Sequence, residues 1–121
     1  MSAVRVLVVD DDEMVLRATS RVLKAAGFDV LTAPGVRSAL SLAPGRDIAV
    51  VVSDLEMPVM HGDVFCREWQ AVAPTPFILL SGSASVFERA LACGARQAFL
   101  KPVDPKTLVA AVRDAAEAAA P

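Results

Sequence analysis

Asp10, Asp11, Asp12, Asp54, Ser81 and Lys101 are the residues of this chain whose types and placement suit chemistry. Each follows a short apolar run: residues 4–9 before the three aspartates, 48–53 before Asp54, 77–80 before Ser81 and 98–100 before Lys101. If those runs are parallel strands, their C-terminal ends share one edge, where ligands bind in open α/β sheets. Carboxylates gathered there repel one another, and leaving them charged without a partner is costly. A hard divalent cation resolves this, and Mg²⁺ favours one or two carboxylates with waters and a phosphate oxygen. Lys101 adds a point charge, and Ser81 a donor for a phosphoryl oxygen. Together they suit phosphoryl transfer, whose catalysis is mostly positioning and charge neutralisation.

Each residue alone has a plainer explanation. An aspartate after a strand commonly caps the next helix, although three in a row exceed what capping requires. Ser81 alone is an ordinary loop serine, and a lysine before Pro102 is an ordinary surface lysine. The joint pattern carries the inference.

The elements that must position these residues alternate in kind. The runs at 4–9, 48–53 and 77–80 are nearly continuous Val, Ile and Leu, as in strands buried on both faces of a parallel sheet. Residues 28–32 and 98–100 are shorter candidates of the same type. Between them the spacing predicts helices over 13–26, stopping at Gly27, and over 36–42, stopping at Pro44-Gly45. Further helices are predicted over 63–73, ending before Pro74, and over 85–93, ending at Gly94. Asp104 and Pro105 supply an N-cap and a first-turn proline for a last helix running into the Ala-rich residues 115–120. Five strand–helix repeats mean right-handed βαβ units around a parallel sheet.

Bulk properties narrow the class. The 121 residues are one domain's worth, read as a single domain over 1–121 with no output domain. The apolar fraction is 55%, yet no stretch approaches the roughly 18–20 unbroken apolar residues of a membrane span. The opening MSAVRVLVVD has no small-residue cleavage site, so a cytoplasmic address is expected. A net charge of −2 with scattered basic residues argues against direct nucleic-acid binding. Cys66 and Cys93 are too few for a disulfide framework or zinc site and are expected to be buried thiols.

The motifs VLVVDDDE, SDLEMPVMHG, LLSGS and FLKPVD, in this order, resemble those of the receiver domains of bacterial two-component response regulators. The resemblance runs the length of the chain. It implies a flavodoxin-like (βα)5 doubly wound parallel sheet of strand order 2-1-3-4-5. It implies that Asp54 is the phosphoryl acceptor and that Mg²⁺ (or Mn²⁺) is held by Asp11, Asp54 and the backbone carbonyl of Glu56, with Asp10 acting through water. Ser81 would hydrogen-bond the aspartyl phosphate and Lys101 would pair with a phosphoryl oxygen. A cis peptide is implied between Lys101 and Pro102, where proline makes it affordable.

The implied partners are a sensor histidine kinase or a histidine phosphotransfer protein. A downstream target would read the surface of the fourth helix, fifth strand and fifth helix, and homodimer formation is a further option. Such a domain is a signalling module rather than an enzyme. Departures from the family pattern fall at three places. Ser81 stands where threonine is commoner and keeps the hydroxyl. Ala98 stands where the family has a switch aromatic, with Phe99 next along, so the switch rests mainly on Ser81. His61 replaces a frequent aspartate and is read as a partly exposed loop residue. Glu56 and Ser83 sit where the family tunes dephosphorylation.

Two alternatives compete with an active receiver. One is a degenerate receiver serving as a non-phosphorylated interaction module. The other is a haloacid dehalogenase-type phosphohydrolase using Asp10 and Asp12, which leaves the motif around Asp54 unexplained.

Overall fold

A computed structural model describes residues 3–42 and 47–119 of the chain. The apolar runs become five strands: β1 Arg5–Val9, β2 Asp29–Ala33, β3 Val50–Asp54, β4 Phe77–Ser81 and β5 Gln97–Leu100. Between and after them come α1 Glu13–Ala25, α2 Val36–Leu42, α3 Gly62–Gln70, α4 Val86–Cys93 and α5 Pro105–Ala119. All strand pairs are parallel and the order is β2-β1-β3-β4-β5. The expected flavodoxin-like architecture is therefore present.

Strand side chains alternate between faces, and two cores result. Leu7, Val9, Val51, Phe77 and Leu79 pack with Ala39, Phe65, Cys66, Trp69, Val86 and Ala90 on the face covered by α2, α3 and α4. Val6, Val8, Val50, Val52, Ile78 and Leu80 pack with Leu16, Leu23, Leu108 and Val112 on the face covered by α1 and α5. Each fully buried side chain of this size contributes about 1.5–3 kcal/mol of transfer free energy. The central strands β3 and β4 are buried at every position, whereas the edge strands β2 and β5 are only partly buried. That difference explains why the edge strands read as shorter, weaker runs.

Helix ends follow their local chemistry. Asp12 caps α1, its carboxylate accepting from the N–H groups of Met14 and Val15. Gly27, at φ +98°, lets the chain leave α1 through a Schellman turn, with Phe28 N–H donating to Leu23 O and Gly27 N–H to Lys24 O. Asp104 caps α5 through Thr107 N–H. The expected stop of α2 at Pro44-Gly45 and the last alanine of the tail, Ala120, lie outside the described residues.

Several boundaries differ from the sequence expectation. Helix α3 ends at Gln70 rather than Ala73. Pro74 disfavours helical geometry at the residue before it, and the chain turns early, with Val72 and Ala73 N–H both donating to Trp69 O. Helix α4 begins at Val86, one residue after Ser85. Strands β3 and β4 both end one residue later than their apolar runs, and β3 also starts two residues later, so Asp54 and Ser81 are the last strand residues rather than the first loop residues. Backbone pairing to neighbours carries the ladder past the apolar segment.

Phe65, Trp69 and Phe77 meet edge to face, with centroids 5.3–5.8 Å apart, and fasten α3 to β4. The Trp69 indole N–H is satisfied by Thr75 Oγ1 at 2.8 Å. Cys66 and Cys93 are both buried and free as expected, and burial pushes the Cys66 thiol well above its usual range. Among the described residues no helix is long and apolar enough to cross a membrane.

Candidate functional site

Parallel register brings the polar residues into one row. Val9 pairs with Ser53, Asp54 with Leu80 and Ser81 with Leu100. Asp10 and Lys101, each one residue past its strand, continue the ladder through Asp10 N–H to Ala33 O and Lys101 N–H to Ser81 O. Asp10, Asp54, Ser81 and Lys101 therefore lie at one edge of the sheet despite a separation of up to 91 positions.

Lys101 bridges two carboxylates. Its Nζ donates to Asp54 Oδ1 at 2.9 Å and to Asp10 Oδ2 at 3.1 Å. Asp10 is 3% exposed and its other oxygen accepts Asp12 N–H at 2.9 Å, so both oxygens are held. Asp54 is 6% exposed. Asp10, Asp11 and Asp54 each offer a carboxylate oxygen within 4.8 Å of the others.

The electrostatics match this crowding. Burial raises the Asp54 carboxyl above its ordinary range; the Lys101 hydrogen bond opposes this, and the charges of Asp10 and Glu56 add to it. Burial works against the Lys101 ammonium, but its hydrogen bonds to Asp54 and Asp10 outweigh that and raise it overall. The two partners move in the same direction for different reasons. Lys101 faces carboxylates, whereas Asp54 faces one cation and two anions. A carboxylate cluster with a net negative balance, Asp10 and Asp54 buried and Asp11 exposed, suits a hard divalent cation, which oxygen ligands of this kind bind. Asp10, Asp11 and Asp54 thus fit such an ion.

Asp12 does not join the cluster. It is exposed, and its carboxylate is committed to the α1 cap. The Asp10/Asp12 pairing required by the phosphohydrolase alternative is therefore absent from the site.

Ser81 is fully buried. Its hydroxyl donates to Glu56 Oε1 and accepts Ser83 N–H at 2.9 Å. The Lys101–Pro102 peptide is cis, as the resemblance implied. Ala98 packs toward the α2–α4 core, and Phe99 toward the α1–α5 core. The neighbouring aromatic therefore sits on the opposite sheet face from Ala98 and cannot replace a ring at position 98.

Three features of the loop between β3 and α3 were not anticipated from sequence. A Cβ on Gly62 would lie 2.3 Å from Asp54 O and 3.0 Å from Leu55 Cα, so the loop closes against the end of β3 only with glycine there. Gly62 N–H donates to Leu55 O at 2.8 Å. Its signal was present, as the glycine that opens a helix after a loop begun by Asp54, but the contact is tertiary. Val59 has φ +75° and is 92% exposed, and Met60 N–H donates to Pro58 O around it. A β-branched residue in this tight turn is strained. Finally, Arg89 of α4 donates twice to Asp63 at 2.9 Å, and its Nη2 lies 2.9 Å from His61 Nδ1. Asp63 is held below the ordinary carboxylate range, because the Arg89 hydrogen bonds outweigh burial. His61 is exposed, as expected.

With this geometry in view, residues 6–113 match the family model described as the response regulator receiver domain. The chain belongs to that family. The receiver is 35% identical over 111 residues to the "Probable transcriptional regulator ycf27" of Galdieria sulphuraria, covering 90% of this chain and 44% of that one. It spans about half the length of the curated relatives it matches. Its structure superposes on a CheY-like receiver domain protein from Methanospirillum hungatei with a TM-score of 0.91 at 26% identity, covering 98% and 97% of the two chains. The chemotaxis protein CheY4 of Vibrio cholerae gives 0.87 at 31% identity, covering 94% and 99%. The fold is thus that of two-component receivers, a signalling family.

Proposed function

We propose that this receiver accepts a phosphoryl group on Asp54 and that the resulting charge switches a docking surface. The observation carrying this reading is the placement of Lys101 Nζ between Asp54 and Asp10, beside the Asp10–Asp11–Asp54 cluster. Asp10, Asp11, Asp54 and the Glu56 backbone carbonyl would hold Mg²⁺ or Mn²⁺, with Asp10 acting through water. When bound, the ion neutralises charge on the transferring phosphoryl oxygens.

The chain's own residues do the rest. An Asp54 carboxylate oxygen attacks the phosphorus of a phosphohistidine, an O–P bond forms, the N–P bond breaks, and the imidazole leaves. The ammonium of Lys101 moves from carboxylate to phosphoryl oxygen, keeping a charge-assisted hydrogen bond throughout. Asp10 is anchored beside the site by Asp12 N–H. The Ser81 hydroxyl turns to donate to the aspartyl phosphate. These changes bias an existing two-state equilibrium rather than build a new fold.

A sensor histidine kinase or histidine phosphotransfer protein is the proposed donor. The α4–β5–α5 surface is the proposed output face, and the exposed apolar side chains of Phe87, Leu91 and Leu100 on α4 and β5 support it. That face could bind a target protein or a second copy. Transcriptional output is proposed for a longer protein carrying this receiver, by likeness to the relative from Galdieria sulphuraria. A cytoplasmic location is proposed with it.

The test is labelling by a small phosphodonor with Mg²⁺. Wild type is expected to take up label, Asp54→Asn none, and Asp10→Asn much less. Label that survives Asp54→Asn and disappears in Asp10→Asn overturns the assignment.

A further inference from the structure

The Ser81 hydroxyl has one proton, and in this structure that proton goes to the Glu56 carboxylate rather than to Asp54. A serine hydroxyl donates one hydrogen bond at a time. Ser81 therefore cannot donate both to Glu56 and to a phosphoryl oxygen. Ser83 N–H, at 2.9 Å from Ser81 Oγ, supports the same resting orientation. Lys101 N–H is bonded to Ser81 O, which ties the Ser81 backbone into the sheet edge, whereas the hydroxyl turns about a single side-chain torsion.

We propose that Glu56 is a resting-state latch: its carboxylate holds the Ser81 hydroxyl away from Asp54, and activation requires that bond to break. This rests on the reading of Asp54 as acceptor and assigns the Glu56 side chain a role separate from its backbone carbonyl. Glu56 is a positioning residue, acting on the phosphoryl group only through Ser81. Its side chain is exposed and reaches a fully buried hydroxyl, an arrangement that surface packing does not require. The latch has greater weight here because Ala98 supplies no ring to share the switch, which leaves Ser81 as the moving part.

The acceptor is charged, so the latch sets the resting equilibrium by about tenfold to a hundredfold, the range of a hydrogen bond to an ionised group. A ligand that binds only the unlatched state has its apparent affinity reduced by the unlatched fraction. Releasing the latch should therefore tighten binding of a phosphoryl mimic by that factor. Glu56→Gln keeps an acceptor oxygen without the charge and should fall between wild type and Glu56→Ala.

Charge repulsion between Glu56 and an anionic ligand would also weaken binding, and a double-mutant cycle separates the two effects. The experiment titrates beryllofluoride into the full chain at fixed saturating Mg²⁺, for wild type, Glu56→Ala, Glu56→Gln, Ser81→Ala and the Glu56→Ala/Ser81→Ala double variant. The expected result is a tenfold or greater tightening in Glu56→Ala, a smaller one in Glu56→Gln, and little effect of Glu56→Ala once Ser81 is alanine. Equal tightening with and without the Ser81 hydroxyl overturns the latch in favour of simple repulsion. Unchanged or weaker binding in Glu56→Ala also overturns it, while the acceptor reading stands. Failure of folded wild type to bind beryllofluoride at all removes the acceptor reading, and the latch with it.

Discussion

Gly62→Ala tests whether the β3–α3 loop sets the position of Asp54. The added Cβ would sit 2.3 Å from Asp54 O, whereas ordinary contact begins near 3.4 Å. The backbone must therefore open by about 1 Å, and it opens at Asp54 itself. Overpacking of this kind costs about 1–3 kcal/mol. For a domain of this size that lowers the Tm by about 4–12 °C. A shift of about 1 Å at a reacting group costs on the order of a hundredfold in rate. Thermal unfolding and the rate of phosphodonor labelling measure the two effects on one sample. Gly35→Ala is the control, since a Cβ there meets nothing within 4 Å. It should change stability by no more than about 0.5 kcal/mol. Wild-type Tm and labelling in Gly62→Ala would refute the close approach. A lowered Tm with wild-type labelling would show that Gly62 serves the fold and not the placement of Asp54.

Three further outcomes are expected. Lys101→Met leaves Asp10 and Asp54 facing each other without a cation, destabilising the metal-free protein by about 3–5 kcal/mol; Mg²⁺, no longer competing with the ammonium, should bind tighter while labelling falls, and unaltered Mg²⁺ affinity contradicts the bridging role. Arg89→Ala should cost about 1 kcal/mol at neutral pH. Because the folded Asp63 carboxyl is depressed, the pair's contribution is present above the ordinary carboxylate range and lost as pH falls through the depressed value. Denaturation across a pH series should show the gap closing in acid, and a constant gap would speak against the pair. Val59→Gly relieves the positive-φ turn at some cost in unfolded-state entropy, for a net gain of about 0.5–1 kcal/mol; a urea midpoint no higher than wild type counts against strain there.

Much of the fold was legible because buried parallel strands write themselves as unbroken apolar runs. The central strands β3 and β4 are of this kind, and the strand order followed once the motifs pointed to the family. The edge strands β2 and β5 were fainter because they carry polar or exposed positions, such as Asp29, Thr32, Gln97 and Leu100, among their core residues. Helix starts were readable where a side chain does the capping, as at Asp12 and Asp104. The end of α3 was misplaced because the chain already turns at residues 71–73, where Val72 and Ala73 N–H fold back onto Trp69 O ahead of Pro74. At the site, residue types at strand ends announced Asp10, Asp54, Ser81 and Lys101. What stayed hidden was pairwise geometry: the Glu56–Ser81 bond, the approach of Gly62 to Asp54, and the tie from Arg89 to Asp63. Each depends on two elements meeting, and neither element carries the signal by itself.

The central claim is that Asp54 carries the phosphoryl group, and mapping the modified residue tests it most directly. After reaction with a small phosphodonor and Mg²⁺, borohydride reduces an acyl phosphate at an aspartate to homoserine, which peptide sequencing by mass spectrometry then locates. The expected result is homoserine at position 54 alone, dependent on both donor and metal. Homoserine at position 10, 11 or 12 with Asp54 unmodified would contradict the account.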